Sequence, residues 1–271
     1  KHFLDKDSLP VEFAEAFIPM FTNPVKDKDG VNHISMQDMA NWTNIKAHRN
    51  FAGEATYHDF SYDFSVKEIR QWLGVYVLNG LSPSPSIEKK FDKHDHANYN
   101  HFVDSNVGGA DPMRRLKMFK AWFTCQNPDK YPVPPREDSP LFKILPWIKW
   151  IRYVGPDAWE LGVNIAIDEM TIGFQGRHVD KLRISYKKEG DGFQCDALCD
   201  DGFTFSIYFR NEPPPRRRYT VQGLSPLHAR CMWLFDQVKD EGHRCRVDNL
   251  YMSACWLDTE LANRQRKKCG C

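Results

Sequence analysis

At Gly162 the apolar pattern of this chain changes from a spacing near 3.6 residues to a spacing of 2, so a helical region must be followed by strands. Upstream, Ser65 and Glu68 have capping-box spacing, and Val66, Ile69, Trp72, Leu73, Tyr76 and Val77 predict a helix ending at Asn79-Gly80. A helix over Asp111 to Phe123 aligns Met113, Leu116, Phe119 and Phe123, with Arg114, Arg115, Lys117 and Lys120 on a basic face. Another is expected over Leu141 to Tyr153, stopping before Gly155-Pro156. Shorter helical patterns lie over Pro10 to Phe21 and Met36 to Trp42, and the polar Thr43 to Phe60 stretch reads as irregular. Trp122, Trp147 and Trp150 read as core residues.

Past Gly162, the stretch Val163 to Arg177 reads VNIAIDEMTIGFQGR. Its apolar run is interrupted by Asp168 and Glu169, and a buried lone carboxylate is costly unless a partner, a metal ion or open water compensates it. Further strands are expected at Leu182 to Tyr186, Phe193 to Leu198 and Phe203 to Phe209, the last with Phe203, Phe205, Ile207 and Phe209 on one face. Asp200-Asp201-Gly202 is a hairpin turn between the last two. A helix over Pro226 to Glu241, a short strand Cys245 to Val247 and a helix near Ala254 to Arg266 complete the chain.

Composition narrows the function only a little. In 271 residues, 41% hydrophobic and 27% charged is ordinary for a soluble globular protein. The net charge is +1, but Pro214 to Cys271 carries eleven Lys/Arg against six Asp/Glu, leaving that segment +5 and the remainder −4. A basic segment on an acidic chain suits a polyanionic partner. No apolar run reaches the ~20 residues of a membrane-spanning helix, so no membrane partner is expected. Lys1 in place of Met gives the sequence the look of a segment of a longer product. The eight cysteines form no CxxC pair, which favours reduced thiols over a disulfide framework or a zinc site. His94, Asp95, His96 and His101 sit in a polar stretch with no apolar frame to fix them as ligands.

Asp168 and Asp248 share a local design, each following a short apolar run (Ile165 to Ile167, Cys245 to Val247) and each followed by a polar residue. If the two strands are neighbours, both carboxylates emerge at one sheet edge, and a hard divalent cation such as Mg²⁺ would neutralise them. Two such ions suit in-line phosphoryl displacement. The alternative is that both merely cap strands at turns. For Arg177 the choices are a contact to DNA phosphate or to a site carboxylate, or a surface pair at a turn. Arg216, Arg217 and Arg218, displayed after three prolines, are candidates for DNA-backbone contact.

Asp168-Glu169 followed by Phe174-Gln175-Gly176-Arg177 resembles the first catalytic block, D-E-x-x-x-x-F-x-G-R, of piggyBac-type transposases. Val247-Asp248-Asn249-Leu250-Tyr251-Met252-Ser253 resembles the second, and Trp42-Thr43-Asn44 and Phe142 to Pro146 also match. The resemblance implies an α/β catalytic part, RNase H-like with a mixed sheet, preceded by a mainly α-helical region. On that basis residues 1–157 are expected to form a helical dimerisation and DNA-binding region. Residues 158–271 would be the N-terminal part of the catalytic domain. It further implies Asp168 and Asp248 as catalytic and metal ligands, Mg²⁺ as cofactor, transposon ends and TTAA target DNA as partners, a homodimer and a nuclear location.

Two departures from the family pattern bear on activity. The family's third catalytic Asp lies well downstream of the second, whereas this chain stops 23 residues after Asp248, and the cysteine-rich C-terminal module is missing. Lys187 and Lys188 keep basic character where the family has a Lys-Pro pattern, and would contact DNA. The expectation is a piggyBac-like, transposase-derived protein whose ancestral chemistry is Mg²⁺-dependent cut-and-paste strand cleavage and transfer. Its alternative is a domesticated, non-catalytic DNA-binding or interaction protein. A metal-dependent phosphoesterase of unrelated origin is a third.

Overall fold

The computed structural model describes residues 26, 30, 32–51, 63–81, 86–91, 108–130, 141–174, 176–183, 191–213, 215, 224–239 and 242–253. They fall into two units. One comprises the described residues between 18 and 133 together with Lys143–Trp147. The other comprises those between 148 and 271 together with Leu141 and Phe142. The expectations for Pro10 to Phe21, His94 to His101, Lys187, Lys188, Arg216, Arg217, Arg218 and Ala254 to Arg266 lie outside the described residues.

The first unit is helical. Helix α1 (Met36–Phe51) opens on a reciprocal cap that the sequence reading passed over. Ser35 Oγ accepts from the Asp38 amide at 3.2 Å, and Asp38 Oδ2 accepts from the Ser35 amide at 2.9 Å. The helix runs nine residues past the expected Trp42, through a stretch read as irregular. Its polar residues are structural tethers: buried Thr43 accepts from the Thr124 amide at 3.3 Å, and Asn44 bonds both the amide and the carbonyl of Phe64, at 2.8 and 3.1 Å.

Helix α2 (Val66–Leu81) has Ser65 at its cap, with the Glu68 amide donating to Ser65 Oγ at 3.2 Å. The Glu68 carboxylate turns instead to Arg115 on α3 (Pro112–Trp122), which donates from Nε to Oε1 at 2.5 Å and from Nη2 to Oε2 at 2.9 Å. Arg115 therefore leaves the expected basic face: it is 2% exposed, with its guanidinium 3.7 Å from the Phe64 ring centroid. Trp72, Phe91 and Phe119 complete that core, Trp72 stacking on Phe119 at 5.8 Å.

Helix α4 (Leu145–Ala158) begins in the first unit and contributes Ile148 onward to the second. It continues past Tyr153 through Gly155-Pro156: Pro156 has no amide for the Arg152 carbonyl, but the helical bonding resumes after it, with the Trp159 amide donating to the Gly155 carbonyl at 3.1 Å. Gly155 is required by close approach, since a Cβ there would lie 2.7 Å from the Phe205 carbonyl oxygen.

The sheet contains β1 (Asn164–Gly173), β2 (Leu182–Arg183), β3 (Asp191–Asp200), β4 (Phe203–Phe209) and β5 (Arg244–Val247). The order is β2-β3-β1-β5, with β4 also paired to β3. All pairs are antiparallel except β1 with β5, which run parallel. The sheet is mixed, as expected. The β3–β4 turn is the predicted Asp201-Gly202, with φ of 44° and 86°.

Strand β4 does not keep the predicted single apolar face. Leu198 pairs with Ser206 and Cys199 with Thr204, so Phe205 is an extra residue and the alternation reverses there. Phe203 and Phe205 pack on one side of the sheet with α5 (Pro226–Phe235), while Ile207 and Phe209 pack on the other with Leu141 and Ile148. The predicted Pro226 to Glu241 helix ends early, at Phe235.

Candidate active site

Strand β1 passes straight through the two acids instead of ending at them, and alternation sends them to opposite faces. Glu169 shares the side of Ile165 and Ile167, under α5. There it pairs with Arg210, which also donates to buried Asp196 on β3 (Nη2 to Oδ1, 2.9 Å). Asp196 lies directly opposite Glu169 in the ladder and is held further by Arg230 of α5 and by the Tyr251 hydroxyl at 3.0 Å. Burial works against the Arg210 charge, but Asp196 and Glu169 outweigh it and raise its pKa. Burial first, and then Asp196, push the Tyr251 phenol up as well.

Asp168 faces the other side, that of Met170 and Ala197, and is exposed. Its compensation is water: among the described residues no Lys, Arg or His pairs with it, and its Oδ1 accepts only from the Glu169 amide, at 2.7 Å. Asp248 repeats the arrangement. It is exposed, and its Oδ1 accepts from the Asn249 amide at 2.5 Å.

The parallel ladder pairs Asn164 with Arg244, Ile165 with Cys245, Ala166 with Arg246 and Ile167 with Val247. The next residue on each strand is the aspartate. Asp248 keeps an extended backbone (φ −75°, ψ 163°), so alternation gives both carboxylates the same face. Adjacent strand positions lie roughly 5 Å apart, and the last pair of the ladder, Ile167 and Val247, brings the two backbones together one residue before the aspartates. Of the two, only Asp248 follows the end of its strand; Asp168 lies within β1 and is no strand cap. The donor set, hard carboxylate oxygens with no Lys, Arg or His paired to them among the described residues, fits Mg²⁺ as its first two protein ligands. Among the described residues no group of three or more His, Cys, Asp or Glu could enclose a metal ion.

A groove of about 700 Å³ opens toward the start of β1, lined by Glu160, Ala166, Cys199, Asp200 and Arg246 among others. Burial, and more weakly Asp168, raise the Cys199 pKa, while Thr204 opposes them.

Arg177 is exposed beyond the far end of β1, and among the described residues no carboxylate pairs with it. A Cβ on Gly176 would meet the tip of the exposed Phe174 ring at 2.4 Å, so any larger residue there would have to push the ring aside. Phe174 in turn rests against Phe193 (5.3 Å between centroids). The Phe-x-Gly part of the motif is therefore a local fold that displays Arg177. What the sequence reading missed is the Asp196, Arg210, Arg230 and Tyr251 set; an acid in the middle of the apolar Phe193 to Leu198 run was its visible signal.

A family model described as Transposase IS4 matches residues 34–271. Among solved structures, the chain is similar to the piggyBac transposase in a cryo-EM synaptic complex with hairpin DNA. The TM-score is 0.66, at 16% identity, over 83% of this chain and 45% of that one. The present chain thus spans less than half the length of that transposase. No curated protein matches. The likeness carries the fold: an RNase H-like α/β part with helices before it. No helix among the described residues is long and apolar enough to cross a membrane.

Proposed function

We propose, from the premise that this chain belongs to the Transposase IS4 family and is a transposase-derived protein with the piggyBac fold, that Asp168 and Asp248 are metal-ligating catalytic residues of DNA strand cleavage and transfer. The observation that carries the reading is the register Ile167–Val247, one residue before the two aspartates, both of which are exposed and neither of which pairs with a Lys, Arg or His among the described residues. Asp168 and Asp248 would hold Mg²⁺, with further ligands from water, from substrate phosphate or from a third residue. When bound, Mg²⁺ lowers the pKa of a ligated water or hydroxyl and steadies charge on the leaving oxygen. The protein's part is to hold the two carboxylates next to paired strands, Asp168 within β1 and Asp248 directly after β5.

The DNA partner, transposon ends and a TTAA target by family likeness, would be engaged along its phosphates. Arg177 is exposed for such a contact, and Lys187, Lys188, Arg216, Arg217 and Arg218 are its further candidates. The helical unit would supply dimerisation and more of the DNA surface, in a nuclear protein.

The test is nicking of supercoiled plasmid DNA in Mg²⁺ by a full-length form that carries a third acidic ligand, unaltered and as Asp168→Ala and Asp248→Ala. Nicking that requires Mg²⁺ and disappears in both variants, with DNA retention on a gel unchanged, is the expected result. Undiminished nicking in either variant overturns the site. DNA retention with no nicking in the unaltered full-length form identifies the non-catalytic alternative, and hydrolysis of small phosphate esters without DNA identifies a phosphoesterase.

A further inference from the structure

We infer that Asp196, Arg210 and Tyr251 are positioning residues for the Asp168–Asp248 pair, an inference that rests on the metal-site reading above. Asp168 owes its direction to its neighbour. Strand alternation lets Asp168 face water on one side only while Glu169 stays on the other, and a one-residue slip would exchange them. Glu169 stands directly opposite Asp196 in the β1–β3 ladder, and two like charges so placed repel. Arg210 removes the conflict by pairing with both, and Arg230 balances the second negative charge. Two carboxylates and two guanidiniums thus lock the register at the position next to Asp168.

Asp248 is held from its other end. It begins the turn Asn249–Tyr251, closed by the Tyr251 amide donating to the Asp248 carbonyl at 2.9 Å. The Tyr251 side chain is fully buried and its hydroxyl donates to Asp196 Oδ1 at 3.0 Å. One buried carboxylate therefore anchors both the β1 acid, through Arg210 and Glu169, and the loop after β5, through Tyr251. A core built for stability alone gains little from such charges, because apolar replacements of similar volume are often at least as stable. Fixing two ligand-bearing backbones relative to one another is what the network adds.

The probe is Mn²⁺, titrated into the 271-residue chain and followed by electron paramagnetic resonance of the free ion, far below the unfolding temperature. Asp168→Ala is expected to abolish saturable binding. Tyr251→Phe keeps the ring and deletes only the hydroxyl, and it is expected to weaken Mn²⁺ binding by about tenfold, the usual effect of losing an outer-shell partner. Arg210→Lys, which keeps the charge but not the two-sided reach, is expected to do likewise. Ile148→Val, across the sheet, lowers stability comparably and should leave the Mn²⁺ affinity unchanged. Wild-type affinity in Tyr251→Phe, with binding lost in Asp168→Ala, overturns the positioning role and leaves the metal site standing. Equal weakening in Ile148→Val also overturns it. Wild-type Mn²⁺ binding in Asp168→Ala overturns the metal site itself.

Discussion

Glu68 and Arg115, 47 positions apart in sequence, form a bidentate ion pair in the interior of the helical unit. The pair joins α2 to α3, and the Phe64 ring covers one face of the guanidinium. Its energetic meaning lies in what happens when half of it is removed. The attraction and the cost of desolvating both ions nearly cancel, whereas one buried charge left alone has only the cost.

Glu68→Gln and Glu68→Ala should therefore destabilise the helical unit by about 3–5 kcal/mol. Arg115→Leu alone should do similar damage by stranding the carboxylate. The double change Glu68→Met, Arg115→Leu should recover most of the loss. Urea denaturation of the four variants checks this, and additive single losses in the double variant would refute the buried pair.

Two glycines should respond to alanine with opposite signs. Gly74 lies inside α2 with nothing within 4 Å of an added Cβ, so Gly74→Ala should stabilise by roughly 0.5–1 kcal/mol. Gly155→Ala would set a methyl 2.7 Å from the backbone oxygen of Phe205, which cannot swing away, and should cost about 1–3 kcal/mol. Thermal unfolding of the two variants in parallel reads both signs. If Gly155→Ala is neutral, the helix-to-bulge approach is wrong.

How far the sequence announced this structure depended on the range of the interactions involved. The Asp201-Gly202 hairpin, the α2 cap at Ser65 and the short apolar runs before Asp168 and Asp248 are local, and their chemistry sits within a few residues. Arg115 reads as one of four cations on a solvated helix face because its partner Glu68 is 47 positions away and itself resembles a capping residue. The reversal of β4 at Phe205 is invisible for the same reason: a bulge exists only relative to the strand it opposes. The two acids of β1 look alike in sequence, and only pairing with β3 and β5 separates the one that binds Arg210 from the one that faces water.

Alkaline stability follows from buried acids that stay protonated. Burial raises the Cys125 thiol from 9.0 to about 11 and is the main cause raising Cys195 from 9.0 to about 12, and Tyr208 rises from 10.0 to about 12. Above pH 9 the unfolded chain releases the thiol protons while the folded chain keeps them, so stability falls as pH rises. It is fully present below pH 9 and declines through pH 11–12, with each thiol contributing up to about 1.4 kcal/mol per pH unit between its two values. Melting temperatures at pH 8, 9, 10 and 11 should be flat and then drop. Cys125→Ser with Cys195→Ala should flatten the drop. A rise in stability above pH 9 would contradict the burial of these thiols.

Divalent metal should separate the two acids of β1 by the sign of their effects. Asp168 and Asp248 are exposed like charges that pair with no cation among the described residues, so Asp168→Asn should leave metal-free stability within about 0.5 kcal/mol of the parent. Glu169→Gln breaks the Arg210 pairing above buried Asp196 and should cost more, about 1–3 kcal/mol, because a partly buried guanidinium loses one of two charged partners. A ligand that binds only the folded state stabilises it in proportion to the logarithm of its concentration over Kd. In Mg²⁺ at ten times its Kd, the unaltered chain should gain on the order of 1 kcal/mol. The gain should vanish in Asp168→Asn and Asp248→Asn. In Glu169→Gln a smaller gain should persist at the same Mg²⁺ concentration, since the ligands remain but their register is looser. Differential scanning fluorimetry with and without MgCl₂ distinguishes the cases. An undiminished Mg²⁺ gain in Asp168→Asn would mean that the ion binds elsewhere, and that the register Ile167–Val247 aligns a mid-strand acid with a turn cap rather than two ligands.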